Sequence, residues 1–86
     1  MYSLIIRPRA ERRFARFPKK LQENVAKKLQ KLHVNPFSTR LDIKKLAGTQ
    51  KSFRLRVGET RIIYELDTKL KTVFVSDIDF RRTTTY

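Results

Sequence analysis

The sequence has no cysteine, so neither a disulfide framework nor a thiolate metal site can exist. Long apolar runs are missing too: no uninterrupted one is longer than Leu4-Ile5-Ile6, far short of a membrane span or a signal-peptide core. These two absences lead to the expectation of a cytoplasmic protein with no membrane partner. Acidic residues are the third scarcity, 8 against 21 lysines and arginines, for a net charge of +13 over 86 residues. The imbalance is local: residues 1 to 56 hold 16 basic and 3 acidic side chains, whereas residues 57 to 86 hold 5 of each. An excess of this size strains a compact fold unless an anion offsets it. Nucleic acid and an acidic protein partner both answer that requirement.

What remains is enough for one small core. Apolar residues make up 40% of the chain, and a domain of this length hides only about 60% of its unfolded-chain surface. A single domain spanning residues 1–86 is expected, with no repeat, linker or low-complexity tract.

Tyr2 to Arg7 reads as a strand, ended by Arg7-Pro8, because the residue before proline is pushed to extended geometry while proline suits a first helical turn. A short helix follows, with Ala10, Phe14 and Phe17 on one face and a stop at Phe17-Pro18. From Lys19 to His33 the stripe Leu21, Val25, Leu29, Leu32 marks a second helix buried on one side, stopped by Asn35-Pro36. After a loop and a short segment Asp42 to Leu46, Phe53-Arg54-Leu55-Arg56-Val57 alternates strictly. Gly58-Glu59 is the glycine-first dipeptide of a two-residue hairpin turn, and Thr60 to Leu66 is the return strand. Asp67 to Lys71 is the next turn, Thr72 to Ile78 a further strand, and Asp79 to Tyr86 a polar tail. The expected fold is therefore α+β: an N-terminal strand, a two-helix hairpin, then an antiparallel three-strand meander, giving a four-stranded sheet with helices on one face.

A two-residue turn fixes register, so Arg56 faces Arg61, Leu55 faces Ile62, Arg54 faces Ile63 and Phe53 faces Tyr64. One face then carries Phe53, Leu55, Val57, Ile62, Tyr64 and Leu66, a core, and the other carries Arg54, Arg56 and Arg61. Like charges placed opposite each other across a strand pair destabilise it. A phosphate between them removes that cost, since guanidinium groups present forked donors that match phosphate oxygens. The alternative is that these arginines are simply solvated on the open side of the sheet.

The stretch Phe53-Arg54-Leu55-Arg56-Val57-Gly58 with Thr60-Arg61-Ile62-Ile63-Tyr64, the preceding Leu46-Ala47-Gly48 and the ending Ile78-Asp79-Phe80-Arg81 with Tyr86 resemble the RelE/ParE superfamily of toxins from toxin–antitoxin pairs. The resemblance covers nearly the whole chain, with Thr60 where an aromatic is common. It implies an antiparallel sheet whose concave face cleaves messenger RNA in the ribosomal decoding site without metal or other cofactor. In that chemistry the ribose 2′-hydroxyl attacks the adjacent phosphorus and leaves a 2′,3′-cyclic phosphate. A base for the hydroxyl, positive charge around the phosphorane and an acid for the departing oxygen are needed.

Carried over by position, the catalytic set is Arg54, Arg56, Arg61, Arg81 and Tyr86. Arg54 and Arg56 stand where RelE-like toxins often place lysines, Arg61 contacts the phosphate, Arg81 donates a proton or stabilises charge, and Tyr86 orients the scissile nucleotide. Arg82 competes with Arg81 for its role. Arginine does not give up its proton in proteins, which assigns base catalysis to Tyr86, Lys51 or the ribosome. Lys27, Lys28 and Lys31 form a basic cluster suited to RNA backbone, and Lys51 and Arg82 are expected to bind RNA with them. A cognate acidic antitoxin is the implied protein partner. Two alternatives share the fold: a ParE-like gyrase inhibitor without nuclease activity, and a non-catalytic RNA-binding toxin or corepressor.

His33, at the end of the second helix, reads as a residue complementing the helix dipole. Asp77 and Asp79, lacking a third ligand, read as partners of nearby arginines, so no metal site is expected.

Overall fold

In a computed structural model, described over residues 1–48 and 50–80, the order of elements is β1 (Ser3–Ile6), α1 (Pro8–Ala15), α2 (Lys19–Val34), β2 (Asp42–Lys45), β3 (Ser52–Val57), β4 (Thr60–Asp67) and β5 (Thr72–Phe80). Proline placement shapes the helical hairpin. Pro8 starts α1 at a position where a missing amide proton costs nothing. Pro18 separates the helices, occupying the cap position before α2. At the far end of α2 the amide of Asn35 donates to the carbonyl of Lys31 at 2.9 Å, and Asn35 itself is extended.

The strands form one sheet in the order β1-β5-β4-β3-β2. The pairs β2–β3, β3–β4 and β4–β5 are antiparallel. β1 joins β5 in parallel, pairing Leu4 with Val73 and Ile6 with Val75. The sheet thus has five strands where the sequence reading expected four, and it is mixed. The added strand is β2, whose one inward apolar residue, Ile43, lies opposite Leu55. An edge strand of four residues with a single apolar position carries almost no periodic signal.

β5 also runs on to Phe80, through residues read from sequence as the start of the tail. It continues by means of an irregularity: Ile63 pairs with Asp77 while Tyr64 pairs with Val75, leaving Ser76 as an extra residue on β5. The inserted residue is a bulge that resets which side chains face inward.

The buried cluster draws Ala10 from α1, Val25, Leu29 and Leu32 from α2, and Leu55, Ile62, Tyr64, Val73, Val75 and Ile78 from the sheet. Phe53 and Tyr64 stack across the β3–β4 pair with ring centres 5.6 Å apart. α1 lies along β5, and α2 packs towards β3. The helices therefore cover one face of the sheet and leave the alternate residues of β2 to β5 on the other.

Candidate functional site

The β3–β4 hairpin decides what the uncovered face displays. Gly58 has φ of +60°, whereas Glu59 stays outside the left-handed region, the geometry of a glycine-first turn. The resulting register opposes Val57 to Thr60, Arg56 to Arg61, Leu55 to Ile62, Arg54 to Ile63 and Phe53 to Tyr64, as the sequence dictated. Leu55, Ile62 and Tyr64 are fully buried on one side. Arg56 is exposed and Arg61 half-buried on the other. Burial pushes the Tyr64 hydroxyl well above its ordinary range, which suits a packing role for a residue on the core face.

Reading across the sheet, one row of the open face runs Asp42 on β2, Arg56 on β3, Arg61 on β4 and Asp79 on β5. Two carboxylates thus bracket two guanidinium groups, yet neither pairs with its neighbour in the row. Asp42 accepts a hydrogen bond from Arg54 Nη2 at 3.3 Å. Asp79 accepts one from Arg13 Nη1 of α1 at 3.2 Å. Arg56 and Arg61 are left with no ion pair or hydrogen bond from their side chains among the described residues. An opposed pair of guanidiniums presents forked donors whose geometry matches an anion with several oxygens.

Arg54 differs from the other two. Its side chain is only 15% exposed and bound to Asp42, with Nε buried and unpaired, so it supports the pair rather than extending it. Lys44, opposite Arg54 on β2, belongs to the same face and is exposed. Sequence reasoning missed both Asp42 and Lys44 because it did not recognise β2 as a strand.

Other predicted residues lie elsewhere. Lys51 precedes β3 and lines a groove of about 390 Å³ with Phe37, Phe53 and Leu66, at the end of β3 remote from Arg56. Lys27, Lys28 and Lys31 line a shallow groove of about 540 Å³ on α2 with Asn24 and Val57, on the helix side of the sheet. The structure does not bring them to the arginine pair. Arg81, Arg82 and Tyr86 lie outside the described residues. His33, on the last turn of α2, accepts the amide of Tyr2 at its carbonyl at 3.1 Å.

A second basic surface had no place in the sequence reading. Arg9, Arg12, Arg13 and Arg16, spaced to share one side of α1, line a basin of about 230 Å³. Arg9 and Arg13 reach Asp77 at 3.8 and 3.6 Å. The expectation that Asp77 and Asp79 pair with arginines holds. Among the described residues no group of three or more His, Asp or Glu side chains stands together to hold a metal ion, and no helix is long and apolar enough to cross a membrane.

A mixed five-stranded sheet backed by a helical hairpin defines the fold class. That architecture is the RelE toxin fold. It matches a chain of the archaeal RelE–RelB complex from Pyrococcus horikoshii with a TM-score of 0.82 at 23% identity, covering 96% of this chain and 98% of the other. The isolated RelE toxin of E. coli superposes with a TM-score of 0.82 at 20% identity, over 98% of this chain and 88% of that one. The toxin–antitoxin complex RelBE2 from Mycobacterium tuberculosis gives 0.80 at 24% identity, over 93% and 98%. The sequence matches no protein-family model and no curated protein.

Proposed function

We propose that the chain is a RelE-like toxin that cleaves messenger RNA on the ribosome, in the cytoplasm, and is neutralised by a cognate acidic antitoxin. The observation that carries this reading is the unneutralised Arg56–Arg61 pair on the free face of a RelE fold. Folding opposes two positive charges there and gives neither a partner among the described residues; a phosphodiester supplies the missing anion.

In this reading Arg56 and Arg61 hold the non-bridging oxygens of the scissile phosphate and stabilise the charge of the phosphorane as the 2′-hydroxyl attacks. Arg54, tied to Asp42, positions β3 and adds to the local field. Arg81 or Arg82 assists the leaving oxygen and Tyr86 orients the nucleotide, roles implied by resemblance. Neither arginine of β3 acts as the base. Lys51 is too far along β3 for that task, which leaves Lys44 of the open face, Tyr86 or the ribosome. The lysines of α2 and the arginines of α1 lie outside the arginine-pair row and suit the phosphate backbone of a large RNA.

The antitoxin follows from complementarity: the basic excess of residues 1 to 56 seeks an acidic segment, and several solved proteins of this fold are named as complexes with RelB.

Brief expression in a bacterial host, with 5′ ends of cellular transcripts mapped, tests the proposal. Codon-phased cuts that disappear in Arg61→Ala are expected. Uncut transcripts with translation unimpaired would end the nuclease reading. The absence of a base on β3 favours one alternative, a gyrase inhibitor, which intact transcripts together with induced DNA-damage signalling would select.

A further inference from the structure

The row Asp42, Arg56, Arg61, Asp79 contains its own potential inhibitors. Asp79 lies directly opposite Arg61 across β4 and β5, on the same face. Directly opposed residues of an antiparallel pair have Cβ atoms about 4.5–5.5 Å apart, close enough for a guanidinium and a carboxylate to pair. They do not pair here. Asp79 is instead engaged by Arg13, which reaches from α1 to Oδ1 at 3.2 Å, and this is its one ion pair among the described residues. Asp77 is held differently, between Arg9 at 3.8 Å and Arg13 at 3.6 Å, so it keeps a partner if Arg13 is lost. Only Asp79 depends wholly on Arg13.

We infer that Arg13 is a positioning residue of the anion site: by holding Asp79 it keeps that carboxylate from neutralising Arg61. In this role Arg13 does not touch the anion held by the pair. It acts through Asp79, and α1 is thereby coupled electrostatically to the open face of the sheet it packs beside. Asp42 stands in the corresponding relation to Arg56 at the other end of the row, engaged by Arg54. Each of the two free arginines is thus kept free by another arginine. The inference deepens the functional reading above and rests on its site, but it concerns anion binding and not cleavage.

The test uses the full chain with inorganic phosphate as probe, following the Arg61 Nε–Hε resonance in an isotope-labelled sample. In the wild type this resonance should shift saturably with phosphate. Arg13→Met, which keeps an apolar stem of similar length, should weaken phosphate binding about three- to fivefold, the scale set by one partly exposed ion pair. Adding Asp79→Asn to Arg13→Met should bring the affinity back to within about twofold of wild type, because the competing carboxylate is then gone. A purely structural role for Arg13 gives the opposite pattern, since the double variant also lacks the Arg13–Asp79 bridge and would bind as poorly as Arg13→Met. That outcome overturns the inference, as does wild-type affinity in Arg13→Met or an Arg61 resonance indifferent to phosphate in the wild type. The expected phosphate pattern in a chain that leaves transcripts uncut would refute the nuclease reading alone.

Discussion

The two faces of the β3–β4 hairpin share a backbone and a turn, yet they obey different rules. On the inner face Leu55, Ile62 and Tyr64 are fully buried, and packing dictates their shape. On the outer face Arg56 and Arg61 are opposed without a partner among the described residues, a choice that packing does not explain and that costs stability. Residues one position apart are therefore constrained by separate demands. The inner face should answer to stability measurements and the outer face to binding measurements.

The largest effect should come from the inner face. Leu55→Ala is expected to cost about 2–5 kcal/mol in urea unfolding, a large part of the ~5–15 kcal/mol available to a typical domain. A loss below about 1 kcal/mol would mean that this face does not form the core. On the outer face, Arg61→Met should lower the affinity for a short single-stranded RNA and reduce the slope of log K against log salt by about 0.7. Relief of like-charge opposition should leave stability unchanged or raised by up to about 1 kcal/mol. Unaltered binding with a clear loss of stability would erase the distinction between the faces. The smallest effect is confined to alkaline solution and sharpens the account of Tyr64. Burial raises its folded-state pKa above the unfolded value. Stability tied to the neutral hydroxyl is thus complete below the unfolded value of about 10 and declines as pH climbs past it towards the folded value. Tyr64→Phe should flatten that alkaline decline in a series of thermal melts, and an unchanged decline would place the titration elsewhere.

The hairpin was legible in the sequence because its information is local: a glycine-first turn and strict alternation fix every cross-strand pair from Phe53–Tyr64 to Val57–Thr60. The helices were legible for the same reason, with Val25, Leu29 and Leu32 buried along the expected stripe. Long-range pairing left a weaker trace. β1 and β5 meet across most of the chain, and nothing in Ser3–Ile6 announces a parallel partner. β2 is short, charged and at an edge, which hid it and with it Asp42 and Lys44. The open-face position of Arg54 was foreseen, whereas its near burial against Asp42 was not, since that needs the neighbouring strand. The hold of Arg13 on Asp79 joins residues 66 positions apart, a distance over which periodicity is silent.

Ser76 shows how much hangs on one inserted residue. Val73 and Val75 point inward, and without interruption position 77 would follow them; the extra residue hands that duty to Ile78 and turns Asp77 and Asp79 outward. Regular pairing through Ser76, with no bulge to absorb it, would carry two carboxylates into the apolar layer and put an isoleucine beside Arg61. The same insertion that keeps the interior dry thus also delivers to α1 the acids it clasps, so the molecule's seam and its charge pattern share a single origin.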